Sequence, residues 1–133
     1  MQNTNTDVLH QKAKAVLHYA YAPFSKFKVA ASILTSKGNI YTGVNVENAA
    51  YGLATCAEAS AISMMVTAGE TDIKEVLVMC ADNILCPPCG ACRQRLIEFA
   101  HPDTIVTLAN DTDILKQIPL QDLLPLAFTF SLK

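Results

Sequence analysis

The chain has 133 residues, of which 51% are apolar and 17% charged, with a formal net charge of −2. That length suits a single domain spanning residues 1–133, and the composition is too apolar for a disordered chain and too poor in charge for a long solvated helix. Near-neutral charge offers no general attraction for phosphate backbones or anionic lipids, so a stable nucleic-acid partner or a membrane surface is not expected.

The first ten residues, MQNTNTDVLH, lack a basic start and an apolar run, and no stretch of eighteen apolar residues follows. This pattern predicts a soluble, cytoplasmic protein. From about Asp7 to Ala22, Val8, Leu9, Ala13, Val16, Leu17 and Ala20 recur at mostly helical spacing, and Pro23 ends the run. Phe27–Leu34, alternating at Phe27, Val29 and Ala31, and Ile40–Val46 read as two strands of a hairpin closed by the polar SKGN turn. Thr55 can cap a second helix running through Ala57, Ala61 and Met65 to Gly69, which puts Cys56 and Glu58 in its first turn.

Glu75–Ala81 contains the apolar run VLVMC, suited to an interior strand. The irregular segment DNILCPPCG then leads into a third helix over Ala91–Phe99. Thr104–Ala109 suits a strand, and Ile114–Ile118 a further strand or extended segment. The tail PLQDLLPLAFTFSLK has two proline breaks and an exposed alternation of Phe128 and Phe130. Helices alternating with apolar strands after an initial hairpin predict an α/β sandwich with helices covering a mixed sheet. The high apolar fraction of so small a domain also points to a buried subunit interface.

Five cysteines stand at 56, 80, 86, 89 and 92, so complete internal pairing is impossible and three lie within seven residues. CPPCGAC holds two overlapping CxxC units, a pattern compatible with zinc binding, redox exchange or an inert local pair. Cys89 and Cys92 share a face at a helix start, where amide dipoles favour thiolates, and Cys56 occupies a comparable start. If the two termini converge, three soft ligands meet one zinc ion and a fourth position stays open for water. Glu58, two residues from Cys56, can then serve as a proton shuttle. The plainer readings are a buried apolar Cys56 and a Glu58 that interacts only with free helix amides. Cys86 can complete a four-cysteine structural site, although Pro87 and Pro88 restrict the segment, and Cys80 reads as core. A thiol-redox pair within 86–92 is a further alternative.

The triplet Cys56-Ala57-Glu58 and the run PCGACRQ from Pro88 to Gln94 together resemble the signature of the zinc-dependent cytidine deaminases. The resemblance covers nearly the whole chain: FSKFKVAA, GVNVENAAYG and LLPLAF each resemble family segments, and the match is best to the short, homotetrameric, three-cysteine type. It implies a three-layer α/β/α sandwich with a largely five-stranded mixed sheet, and active sites completed by neighbouring subunits. It also implies Zn²⁺ held by Cys56, Cys89 and Cys92, with Glu58 as general acid and base. Asn45 and Glu47 match the sugar-binding N-x-E, and Phe27 a base-contacting aromatic. Ala57 matches a backbone contact to the base, Phe128 an aromatic from another subunit, and Tyr51 an inter-subunit contact. The reaction implied is hydrolysis of cytidine or deoxycytidine to uridine or deoxyuridine with release of ammonia, in pyrimidine salvage.

Two departures stand out. Many relatives read CAER, whereas this chain reads CAEA with Ala59 after Glu58, and Ala30 replaces a usual glycine. Either Arg93 or Arg95 can supply the missing cation from the other motif; the plainer reading of both is surface solvation or a salt bridge, above all for Arg95. These departures leave open a modified cytosine nucleoside or related antibiotic as substrate. A noncatalytic structural-zinc interaction module, with Cys86 as fourth ligand, is the reading from a different class.

Overall fold

The computed structural model describes residues 4–130. Its elements run α1 (Thr4–Leu17), β1 (Val29–Thr35), β2 (Ile40–Val44), α2 (Ala57–Thr67), β3 (Ile73–Cys80), α3 (Gly90–Ile97), β4 (Ala100–Ala109), β5 (Ile114–Pro119) and the short α4 (Leu120–Leu123). The strands form one mixed sheet in the order β2-β1-β3-β4-β5. Among these strands β3 and β4 pair in parallel, and the other neighbours are antiparallel.

Alternation along β3 divides the core. Val76 and Val78 join Ala31, Ile33, Ala61, Met65, Leu96 and Leu120 on one face of the sheet, whereas Leu77 and Met79 join Leu9, Ala13, Ala30 and Leu34 on the other. Helix α1 therefore covers one face, and α2, α3 and α4 cover the opposite face. This is the three-layer α/β/α sandwich. Each fully buried Leu or Met in these layers contributes about 1.5–3 kcal/mol relative to exposure.

Several boundaries differ from the sequence reading. Helix α1 stops at Leu17 rather than Ala22, because the backbone at Tyr21 leaves the helix to bond with the segment after β2: its N–H donates to the Asn45 carbonyl at 2.9 Å, and its own carbonyl accepts from Glu47 N–H at 2.9 Å. Strand β1 begins at Val29, not Phe27, and it is buried on both faces after its first residue, so the expected alternation is replaced by central-strand burial. Strand β4 starts four residues earlier than Thr104. The tail gains the short helix α4.

The topology brings two distant segments together. Strands β2 and β3 both run antiparallel to β1, so they point the same way. Ala30 of β1 pairs with Val44 on one side and Met79 on the other. The C-terminal ends of β2 and β3 thus lie level at one edge of the sheet, and the chain leaving each feeds the N-terminus of α2 or α3.

Candidate metal centre and active site

At that edge, the ligand atoms of Cys56, Cys89 and Cys92 lie within 4.8 Å of one another. Cys56 and Cys89 are the N-cap residues of α2 and α3, both extended, with (φ, ψ) of (−73°, 156°) and (−68°, 168°), and neither side chain makes a capping hydrogen bond. The expected cap, Thr55, instead pairs its backbone with Val46. Cys92 lies in the first turn of α3 and is fully buried. Cys56 is partly buried and Cys89 exposed, so the cluster opens outward on the Cys89 side.

The donor set fits zinc. Tetrahedral Zn–S bonds of about 2.3 Å put sulfurs about 3.8 Å apart, within small side-chain adjustments of the observed spread. Backbone N–H groups of Cys92 and Ala91 at the start of α3 pull the Cys89 thiol below its ordinary range. Burial acts the other way, raising the Cys56 thiol and pushing Cys92 up to about 12. Three sulfurs so placed need a bound cation to exist together as thiolates.

Glu58 is the second residue of α2 and only 4% exposed. Burial raises its carboxyl above the ordinary range, against opposing effects of a backbone N–H and the Arg95 charge. A buried carboxyl that interacts electrostatically with Cys56, Cys89 and Cys92 can both take and return a proton there. Cys86 is not part of the cluster. It interacts with Cys80, and burial, followed by Cys80, pushes its thiol up to about 12. A four-sulfur cage therefore lacks its fourth member.

The two arginines of the second motif separate. Arg93 is fixed on backbone, donating from Nε to the Pro88 carbonyl and from Nη1 to the Leu123 carbonyl, both at 2.8 Å. Arg95, expected at the surface, is exposed, yet its Nη1 donates to Cys92 Sγ at 3.6 Å.

The residues expected to contact a substrate have partners of their own. Asn45 braces the approach to β1: Val29 N–H donates to its Oδ1 at 2.9 Å, and its Nδ2 donates to the Phe27 carbonyl at 2.8 Å. Phe27 is thereby held half-buried just ahead of β1. Glu47 accepts from Phe24 N–H at 3.0 Å and Ser25 N–H at 3.2 Å, and also from the Ser25 hydroxyl. These contacts hold its carboxylate below the ordinary range, the Ser25 hydroxyl most strongly. Phe24 and Ser25 were not anticipated. Their signal is the Pro23-Phe24-Ser25 turn, but nothing local indicates that it closes on a residue 22 positions away.

Glu47, Tyr51, Phe24 and Ser25 line an open cavity of about 380 Å³. Ala57 is buried at the start of α2. Tyr51 and Phe128 are 83% and 69% exposed, and the Phe128 carbonyl accepts from Gln94 Nε2 of α3 at 2.8 Å. A larger cavity of about 1190 Å³, between the end of α3 and the tail, includes none of the cysteines or Glu58. No helix among the described residues is long and apolar enough to cross a membrane.

Residues 3–108 match the family model of the cytidine and deoxycytidylate deaminase zinc-binding region. The cytidine deaminase of Halalkalibacterium halodurans is 41% identical over 110 residues, 83% of each chain. That of Mycoplasma pneumoniae is 40% identical over 120 residues, 89% of this chain and 90% of the relative. Among solved structures, the cytidine deaminase of Burkholderia pseudomallei superposes with a TM-score of 0.86 at 39% identity, covering 96% of this chain and all of the other. The Mycobacterium tuberculosis enzyme gives 0.80 at 30% identity, with the same coverage.

Proposed function

Because this chain belongs to the cytidine and deoxycytidylate deaminase family, we propose that it hydrolyses cytidine and deoxycytidine to uridine and deoxyuridine, releasing ammonia, in pyrimidine salvage. The observation that carries this reading is the buried Glu58 carboxyl beside a three-sulfur cluster at two converging helix starts. Residues 1–133 work as one catalytic domain, in the cytoplasm.

Cys56, Cys89 and Cys92 hold the zinc, which when bound supplies the Lewis acidity that makes water nucleophilic near neutral pH. Glu58 would take a proton from the attacking water as its oxygen bonds to C4 and give one to pyrimidine N3, then protonate the exocyclic nitrogen as the C4–N bond breaks. Water enters and ammonia leaves, so no other reactant is required. Burial of Glu58 suits both halves of the task, because it brings the carboxylate's proton affinity closer to neutral pH.

Phe27 packs against the base, and the Ala57 backbone bonds to it. Asn45 and Glu47 bind the 3'-hydroxyl of the sugar. Each keeps capacity for that contact: Asn45 has a second N–H on Nδ2, and Glu47 has a lone pair left on Oε2. Tyr51 and Phe128 contribute to sites of neighbouring subunits in a homotetramer. The exposed Tyr51, Leu53, Leu126, Phe128 and Phe130 support such an assembly, since so many large apolar side chains favour a partner surface.

The decisive experiment measures zinc per chain and the ammonia and uridine formed from cytidine, alongside deoxycytidine and a panel of modified cytosine nucleosides. Zinc-loaded, folded protein inactive on both natural nucleosides refutes the substrate assignment, and activity confined to a modified nucleoside replaces it. Light scattering of the same sample tests the tetramer.

A further inference from the structure

We propose that Arg95 is a positioning residue of the metal centre, its guanidinium donating to the Cys92 sulfur and offsetting the net negative charge of a three-thiolate site. This rests on the deaminase reading, because it concerns the same zinc. Three thiolates and one divalent cation sum to −1, and the Glu58 carboxylate adds a second negative charge nearby. Ala59, next to Glu58, offers no compensation. Arg93 is fixed on the carbonyls of Pro88 and Leu123, which leaves Arg95 to face the site.

The geometry follows from helical spacing. Cys92 and Arg95 stand three apart on α3, so their side chains share a face, and Arg95 Nη1 reaches Cys92 Sγ at 3.6 Å, a hydrogen bond to sulfur. The guanidinium also interacts with the Glu58 carboxyl, so one side chain faces both a ligand and the acid/base group. An N–H donor on a thiolate draws electron density from the sulfur and fixes its direction, as partners behind metal ligands generally do. Arg95 touches no reacting atom in this scheme.

Its exposure makes the proposal testable, because replacing an exposed side chain seldom disturbs folding. Zinc-loaded parent, R95A, R95Q and R95K are compared for zinc release to a chromogenic chelator and for kcat and KM on cytidine. Each is also prepared with cobalt to read the sulfur-to-metal charge-transfer band. R95A and R95Q are expected to release zinc roughly 10–100-fold faster than the parent and to lose kcat more than KM. Loss of the charged guanidinium donor raises the energy of the sulfur lone pair, so their cobalt bands move to longer wavelength. R95K, which keeps the charge, is expected to recover most of the zinc retention.

Zinc release by R95A within about two-fold of the parent, with an unmoved cobalt band, overturns the role of Arg95. R95K as defective as R95A overturns the charge component. A parent protein that binds no zinc or releases no ammonia defeats the deaminase reading itself and this inference with it, whereas an active parent and an equally active R95A defeat this inference alone.

Discussion

Replacing Gly43 with alanine tests whether the contact between β2 and α2 sets the geometry of the metal centre. A methyl at position 43 falls 2.7 Å from the Ala57 carbonyl oxygen, 2.8 Å from the Ser60 carbonyl carbon and nearer still to the Ala61 amide nitrogen, whereas ordinary contact begins at 3.4 Å. All three neighbours are helix backbone, which cannot rotate out of the way. Relief to 3.4 Å therefore requires α2 to lift from the sheet by more than about 0.7 Å, the shortfall at the Ala57 oxygen, because the Ala61 nitrogen is nearer still. Cys56 and Glu58 ride on the end of the helix that moves, while Cys89 and Cys92 are held by α3 and stay.

Overpacking of this kind costs about 1–3 kcal/mol, or roughly 4–12 °C in Tm for a domain of this size. Displacement of Glu58 and Cys56 by a fraction of an ångström to an ångström predicts a loss of roughly 10–100-fold in kcat/KM. The assays are thermal unfolding at fixed protein concentration, zinc release and cytidine turnover. Gly52 supplies a stability control, since a Cβ there meets nothing within 4 Å, so G52A is expected to unfold with the parent. G43A with Tm within about 1 °C and kcat/KM within about two-fold of the parent refutes the argument, because it means α2 is not held by this approach.

Four further outcomes are expected. E58Q keeps zinc but loses about 10²–10⁴-fold in kcat, and comparable loss of zinc would place Glu58 in metal retention instead. C86S retains one zinc per chain and a three-sulfur shell by X-ray absorption, with loss of a zinc–sulfur scatterer as the contrary result. N45A frees two backbone groups that its carboxamide now joins, so urea unfolding is expected to show a loss of about 2 kcal/mol, and an unchanged midpoint would mean the brace is dispensable. Glu70 accepts from the Tyr41 hydroxyl at 2.6 Å and from Asn39 Nδ2 at 2.8 Å, and these contacts, Tyr41 first, hold its carboxyl below the ordinary range. Its stabilisation is present above the unfolded carboxyl's value of about 4.3 and is lost as pH falls through the lower folded value. The Tm gap between parent and E70Q is therefore expected to shrink between pH 7 and about pH 3, and a constant gap would contradict it.

The sequence by itself determined the chemistry available: which residues carry sulfur and carboxylate, their spacing of two and three, and their place at helix starts. Those properties are local, since i,i+3 neighbours share a helix face whatever the rest of the chain does. The sheet strands and the three longer helices were also legible, because apolar periodicity records which side of an element is buried. Boundaries were less so. Helix α1 ended early through pairings of Tyr21 with Asn45 and Glu47, far along the chain, and Thr55 lost its capping role by pairing with Val46. Likewise, no spacing rule could tell that Asn45 braces Phe27, that Ser25 closes on Glu47, or that the Leu123 carbonyl, thirty residues on, helps to hold Arg93 and leaves the cysteines to Arg95. Convergence of Cys56 with Cys89 and Cys92 belongs to the same class, since it depends on β2 and β3 running in the same direction on either side of β1. Contacts between segments dozens of residues apart are fixed by strand order and direction, which leave no trace in local periodicity.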